Sequence, residues 1–212
     1  MKLNIEALLS LYDTRQQDGG FATAMSALGG EELGICLLQH YLAKKDKNVE
    51  RLPGIPKTGN RSGFRLDGWL LVDGELMQLE VKNWGANAVG GREFDSKQIT
   101  GNSRAGWNQF LAWFVDPRLS KVLYPMQPLP GHSIIKHAAV CMWPVMNASG
   151  ADDPWFSVSV VTLPPLGFET MFEYLHVFSM SGYLRSLEGE WLELPMPVME
   201  ERLRRLTILC QL

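Results

Sequence analysis

The chain has 212 residues, 46% of them hydrophobic and 20% charged, with a formal net charge of −3. Such a chain is long and apolar enough to bury a core. Its charge excludes a uniformly basic nucleic-acid coat, so any polyanion partner must meet a local patch.

Residues 1–13, MKLNIEALLSLYD, form an apolar run broken by Asn4 and Glu6 with no small-residue cleavage site, which predicts a short amphipathic helix and not a signal peptide. No stretch approaches the roughly 18 apolar residues of a membrane span. Residues 31–45 carry Leu33, Ile35, Leu37, Leu38, Tyr41 and Leu42 at helical spacing, with acids in the first turn and lysines in the last, which suits the helix dipole. Residues 53–63, PGIPKTGNRSG, read as a loop; Asn60 and Arg61 stand where a phosphate-binding loop needs Lys and then Ser or Thr.

A hairpin is expected over residues 65–82, followed by a glycine-rich connection at 85–91 and a helix at 97–114 with Trp107, Phe110, Leu111 and Phe114 on one face. A proline-rich loop at 124–132 precedes strands at 134–143 and 155–163, and residues 168–178 and 198–209 read as helices. With no internal repeat or low-complexity segment, this order predicts one domain over residues 1–212 of α/β (α+β) class, a central mixed β-sheet flanked by helices. Cys36, Cys141 and Cys210 are odd in number and widely spaced, which points to reduced, buried thiols and a cytoplasmic protein rather than a disulfide frame or a zinc site.

The hairpin carries the chemistry. Asp73-Gly74 between two β-prone runs predicts a two-residue type I′ turn, which needs positive φ at both positions. That turn sets the register: Leu70 faces Met77, Leu66 faces Val81, and Asp67 faces Glu80. Alternation places Leu66, Leu70, Val72, Met77, Leu79 and Val81 on a core face, and Arg65, Asp67, Trp69, Gln78, Glu80 and Lys82 on a second, chemical face. Two opposed carboxylates repel, so something positive belongs between them. One solution is Mg²⁺ or Mn²⁺, held by hard oxygen ligands, with Lys82 beside it to orient or help deprotonate water or to stabilise a phosphate. The other is neutralisation by Arg65 and Lys82 in a surface charge cluster.

A strand bearing Asp67, a turn, an apolar run ending in Glu80-Val81-Lys82 and a preceding helix opening with Gly30-Glu31 together resemble the PD-(D/E)XK nuclease superfamily. Residues 29–83, about a quarter of the chain, are most similar to its nuclease-related (NERD-like) and Holliday-junction-resolvase-like branches. The motifs are short; their order, element type and register are what agree.

The resemblance implies a restriction-endonuclease-like core and Mg²⁺- or Mn²⁺-dependent hydrolysis of phosphodiester bonds, with DNA the expected substrate. It casts Asp67 and Glu80 as metal ligands, Lys82 as the catalytic lysine and Glu31 as the helix-borne acid. Glu32 competes with Glu31, which is favoured because Gly34, Ile35 and Leu38 follow it at helical spacing. Gln98 and Gln109 are candidates for the polar position that the family often has on the next helix, or ordinary solvent-facing glutamines. The chain departs from the family in having Arg65-Leu66 before Asp67, where a proline is loosely kept.

Cations exceed acids by two between residues 51 and 104. Arg61, Arg92, Lys97 and Arg104 are candidates for phosphate contact there, or belong to an ordinary solvated surface. Trp69 and Trp84 offer base-stacking surfaces or core aromatics. His40, His132, His137 and His176 are dispersed and match no nucleophile motif. The alternative to an enzyme is a non-catalytic nuclease-fold module that binds nucleic acid or a protein, or a subunit of a transposition or defence complex active only with partners. A homodimer is compatible with both readings.

Overall fold

A computed structural model describes residues 1–13, 19–52, 67–82, 137–142, 154–159 and 173–210. Strand β1 (Lys2–Asn4) leads into helix α1 (Ile5–Asp13), whose first turn Asn4 caps by accepting the Ala7 N–H at 2.7 Å. Helix α2 (Gly19–Lys44) follows, longer than the predicted 31–45 segment because helical structure continues back through Gly29-Gly30.

Helix α2 ends in a Schellman motif. The Lys47 and Asp46 N–H groups donate to Leu42 O and Ala43 O, and Asp46 takes the left-handed conformation at φ 58°. Next come β2 (Val49–Arg51), β3 (Gly68–Val72) and β4 (Glu75–Lys82). Asp73 and Gly74 adopt φ 51° and 86°, the two positive values of the expected turn, and Leu70 pairs with Met77 as the register demands.

Strands β5 (His137–Met142), β6 (Trp155–Ser159) and β7 (Tyr174–Ser179) complete a six-stranded sheet of order β2-β3-β4-β5-β7-β6. The sheet is mixed: β4, β5 and β7 run parallel, and the outer pairings are antiparallel. Helix α3 (Met180–Ser186) leaves β7 directly, capped by the Ser179 hydroxyl, which accepts the Gly182 N–H. Strand β8 (Trp191–Glu193) pairs with β1, and helix α4 (Pro197–Cys210) follows. The α+β class with a mixed sheet flanked by helices therefore holds.

Two expectations are corrected. Residues 174–179 form a strand where a helix was predicted over 168–178, because both β5 and β6 bond to that segment and tertiary pairing overrides local pattern. The face assigned to chemistry is also not open: Trp69, Leu76, Gln78, Val140 and Val177 are each at most 3% exposed. The sheet is buried on both faces, as central parallel strands usually are. Trp69 thus belongs to the core.

The other face packs beneath α2, where Ile35, Leu38, Tyr41 and Leu42 meet Leu70, Met77, Leu79, Val81, Cys141 and Phe178. Helices α3 and α4 close the same core with Met180, Leu184 and Met199. Cys36 and Cys141 are buried free thiols as expected, while Cys210 is exposed. Burial pushes the Cys36 thiol up to about 11, with the Glu32 charge adding to it, and pushes Cys141 up still further, so neither is a thiolate at neutral pH. Among the described residues no helix is long and apolar enough to cross a membrane. The segments 53–63, 85–91, 97–114 and 124–132 lie outside the described residues.

Candidate active site

The Asp67 carboxylate lies immediately before β3 and accepts the Val81 N–H at 2.7 Å. The strand pairing closes at Gly68↔Leu79, so this bond continues the hairpin one step further, with a side-chain oxygen taking the place of a backbone carbonyl. Val81 is the middle residue of Glu80-Val81-Lys82. Asp67 is half-buried, and its charge reaches Cys141, the β5 residue paired with Val81.

Helix α2 approaches the same place. A Cβ on Gly34 would lie 2.7 Å from Val81 Cγ1, so the glycine permits contact between helix and strand at that level. Gly68 faces the Ile35 side chain in the same way. Glu31 is exposed one turn before this contact, on the helix side that Gly34, Ile35 and Leu38 extend. The backbone positions of Asp67, Glu80 and Lys82 lie at one end of the β3–β4 hairpin, and Glu31 stands one helical turn before the Gly34–Val81 contact on the face of the sheet that α2 covers. The Glu80 and Lys82 side chains lie outside the described residues, as do Arg61, Arg65, Trp84, Arg92, Lys97, Gln98, Arg104 and Gln109.

Glu32 has a structural task. It is 4% exposed, and its two oxygens accept the N–H groups of Val198 and Met199 at 3.0 and 2.6 Å. Those are first-turn donors of α4 that no residue of their own helix can satisfy, and a carboxylate also complements the positive end of the helix dipole. Of the two competing glutamates, Glu31 is the one exposed to solvent.

A divalent ion at this end would have oxygen donors of the right hardness in Asp67 and Glu80. Among the described residues, which omit the Glu80 side chain, no group of three His, Cys, Asp or Glu could hold a metal.

A second polar constellation was not legible in the sequence. His137 and His176, dispersed along the chain, meet in neighbouring strands: His137 Nδ1 and His176 Nε2 are 2.9 Å apart. On one side His176 Nδ1 lies 2.7 Å from Ser157 Oγ; on the other, His137 Nε2 lies 2.9 Å from Glu75 Oε2. The histidines match no nucleophile motif in sequence, yet the fold sets His176 against Ser157. The spacing of 39 residues between the histidines hid the pairing, which only the β5–β7 and β6–β7 registers create. The period-2 pattern Tyr174, His176, Phe178 was the available signal, and a helical reading of that segment obscured it.

His176 is 7% exposed, and burial, with the nearby His137, lowers its pKa from 6.5 to about 4. Elsewhere His40 Nδ1 meets the Tyr183 hydroxyl at 2.7 Å; burial raises that phenol to about 12 and lowers His40, the latter helped by Lys44. Scans against family models, curated proteins and solved structures return no match to this chain.

Proposed function

We propose that the chain is a metal-dependent nuclease of PD-(D/E)XK type with a restriction-endonuclease-like core, hydrolysing phosphodiester bonds in DNA. The observation that supports this most directly is the Asp67 carboxylate seated on the Val81 amide, between Glu80 and Lys82 in sequence. A hydrogen bond at that point orients an acid toward the end of β4 and costs the hairpin nothing, since the amide is one that a backbone carbonyl would otherwise have taken. Helix α2 contacts Val81 through Gly34, one turn beyond Glu31, on the sheet face opposite the one that alternation gives Glu80 and Lys82.

In this reading Asp67 and Glu80 hold Mg²⁺ or Mn²⁺, and the bound ion supplies Lewis acidity and a more acidic water. Lys82 neutralises charge on the phosphate or positions the attacking water. Glu31 supplies a further acceptor for water at the rim. The expected partner is a nucleic acid, contacted by Arg61, Arg92, Lys97 and Arg104.

Purified protein should cut DNA with Mg²⁺ present and stop when a chelator is added. Glu80→Gln and Lys82→Ala should each lower the cutting rate by about a hundredfold or more while leaving thermal unfolding unchanged. Variants that fold and cut like the parent would overturn the assignment.

A further inference from the structure

The four-residue row across β4, β5, β7 and β6 sits on the α2 face of the sheet, at the opposite end of β4 from Glu80-Val81-Lys82. Glu75 opens β4, and Val81 lies six residues on, about 20 Å away at the rise of an extended strand. It is separate from the hairpin-end site and does not rest on the nuclease reading.

Hydrogen-bond direction follows from the chemistry of the groups. Glu75 is a carboxylate and only accepts, so His137 Nε2 carries a proton, and in the neutral ring on which the row depends His137 Nδ1 is an acceptor. His176 must then donate from Nε2, which leaves its Nδ1 as an acceptor, and the Ser157 hydroxyl donates to it. In that arrangement every donor points toward Glu75, and the Ser157 hydroxyl stands at the far end of the row. Ser157 is exposed on β6, the outermost strand of the row, directly opposite His176 in the antiparallel register.

The row is flanked by stacked aromatic rings. Trp155, His176, His137 and Tyr174 form a line of nearly parallel rings with neighbouring centroids 4.8, 5.2 and 5.4 Å apart, and Tyr174 is 41% exposed. The lowered pKa of His176 keeps its ring neutral, with Nδ1 unprotonated, at neutral pH.

We propose that Ser157 is the nucleophile of a second reaction centre that hydrolyses small carboxylic esters, with His176 as its base and His137 and Glu75 as positioning residues. Ser157 Oγ forms a bond to the ester carbonyl carbon, the carbonyl π pair moves onto oxygen, and the serine proton passes to His176 Nδ1. The resulting imidazolium donates through Nε2–H to His137, which donates in turn to Glu75, so the new charge faces a carboxylate through one neutral ring. Collapse expels the alkoxide, which takes the proton from His176. Water, deprotonated by His176 in the same manner, then cleaves the acyl-serine to carboxylic acid and restores the hydroxyl. No oxidant, reductant or metal enters the balance.

The test uses the intact chain. A fluorophosphonate, which phosphonylates an activated serine with loss of fluoride, should label Ser157 as mapped by mass spectrometry, and p-nitrophenyl acetate should be hydrolysed. Ser157→Ala should abolish both, His176→Gln should slow labelling about a hundredfold, and Glu75→Gln should slow it severalfold while Glu75→Asp retains part of the rate. Ser157 and Glu75 are exposed, so their variants fold even where His176→Gln does not. Absence of label at Ser157 in folded protein, or labelling indifferent to His176→Gln and Glu75→Gln, would overturn the proposal. Chelator leaves the labelling rate unchanged, which separates this result from the fate of the nuclease assignment.

Discussion

Glu31 and Glu32 are adjacent, yet a helix turns each residue by about 100°, and that rotation decides what each can touch. Glu32 faces inward and accepts two amides at the start of α4; Glu31 faces solvent. Removing a buried acceptor leaves its donors unpaired, so Glu32→Ala should lower unfolding free energy by about 2 kcal/mol in a urea titration. Glu31→Ala should change it by less than about 0.5 kcal/mol, as expected for an exposed site. A reversed order would mean that the cap on α4 contributes nothing. Helical spacing in the sequence was enough to favour Glu31, since Gly34, Ile35 and Leu38 mark the packed side. It could not reveal what Glu32 does, because its partners lie 166 and 167 residues further along the chain.

At the level of elements, what could be read from sequence was what local chemistry controls. Asp73-Gly74 dictates its own turn and hence the register of β3 on β4, and residues 31–45 announce their helix by period. The failure at 168–178 has the opposite cause. Strand β7 sits between β5 and β6 with Val177 buried on one face and His176 and Phe178 on the other, so apolar residues occupy both faces and blur the period-2 signal of Tyr174, His176 and Phe178. The contact of α2 with β4 makes a prediction of its own. Gly34→Ala would put a methyl carbon 2.7 Å from Val81 Cγ1 and 3.2 Å from Met180 Sδ, and should destabilise the protein by about 2 kcal/mol through overpacking. Calorimetry that finds this variant as stable as the parent would show that helix and strand are not in contact there.

For the whole molecule, a neutral histidine in the core couples global stability to pH. The folded-state pKa of His176 lies near 4 against an ordinary 6.5, so between those values the unfolded chain binds a proton that the folded chain refuses. Its contribution is complete above pH 6.5 and is lost as pH falls toward 4, by about 3 kcal/mol in all. Urea midpoints measured across that window should fall steeply for the parent and less for His176→Gln; parallel slopes would refute the burial argument. The same sheet carries this histidine row at one end and the Asp67 hairpin end at the other, so the two proposed chemistries share a scaffold without sharing residues.

The bond from the Val81 amide to Asp67 has one more implication. An acid that already serves as the last rung of a hairpin must divide its electron density between that amide and any cation drawn to it, so strand closure and ion occupancy become thermodynamically linked quantities. Fraying of the rung would release a more anionic oxygen, and an ion captured there, as the proposed function has it, would loosen the rung in return. The open end of the hairpin, away from the Asp73-Gly74 turn, would then be set by what the proposed site holds as well as by the fold beneath it.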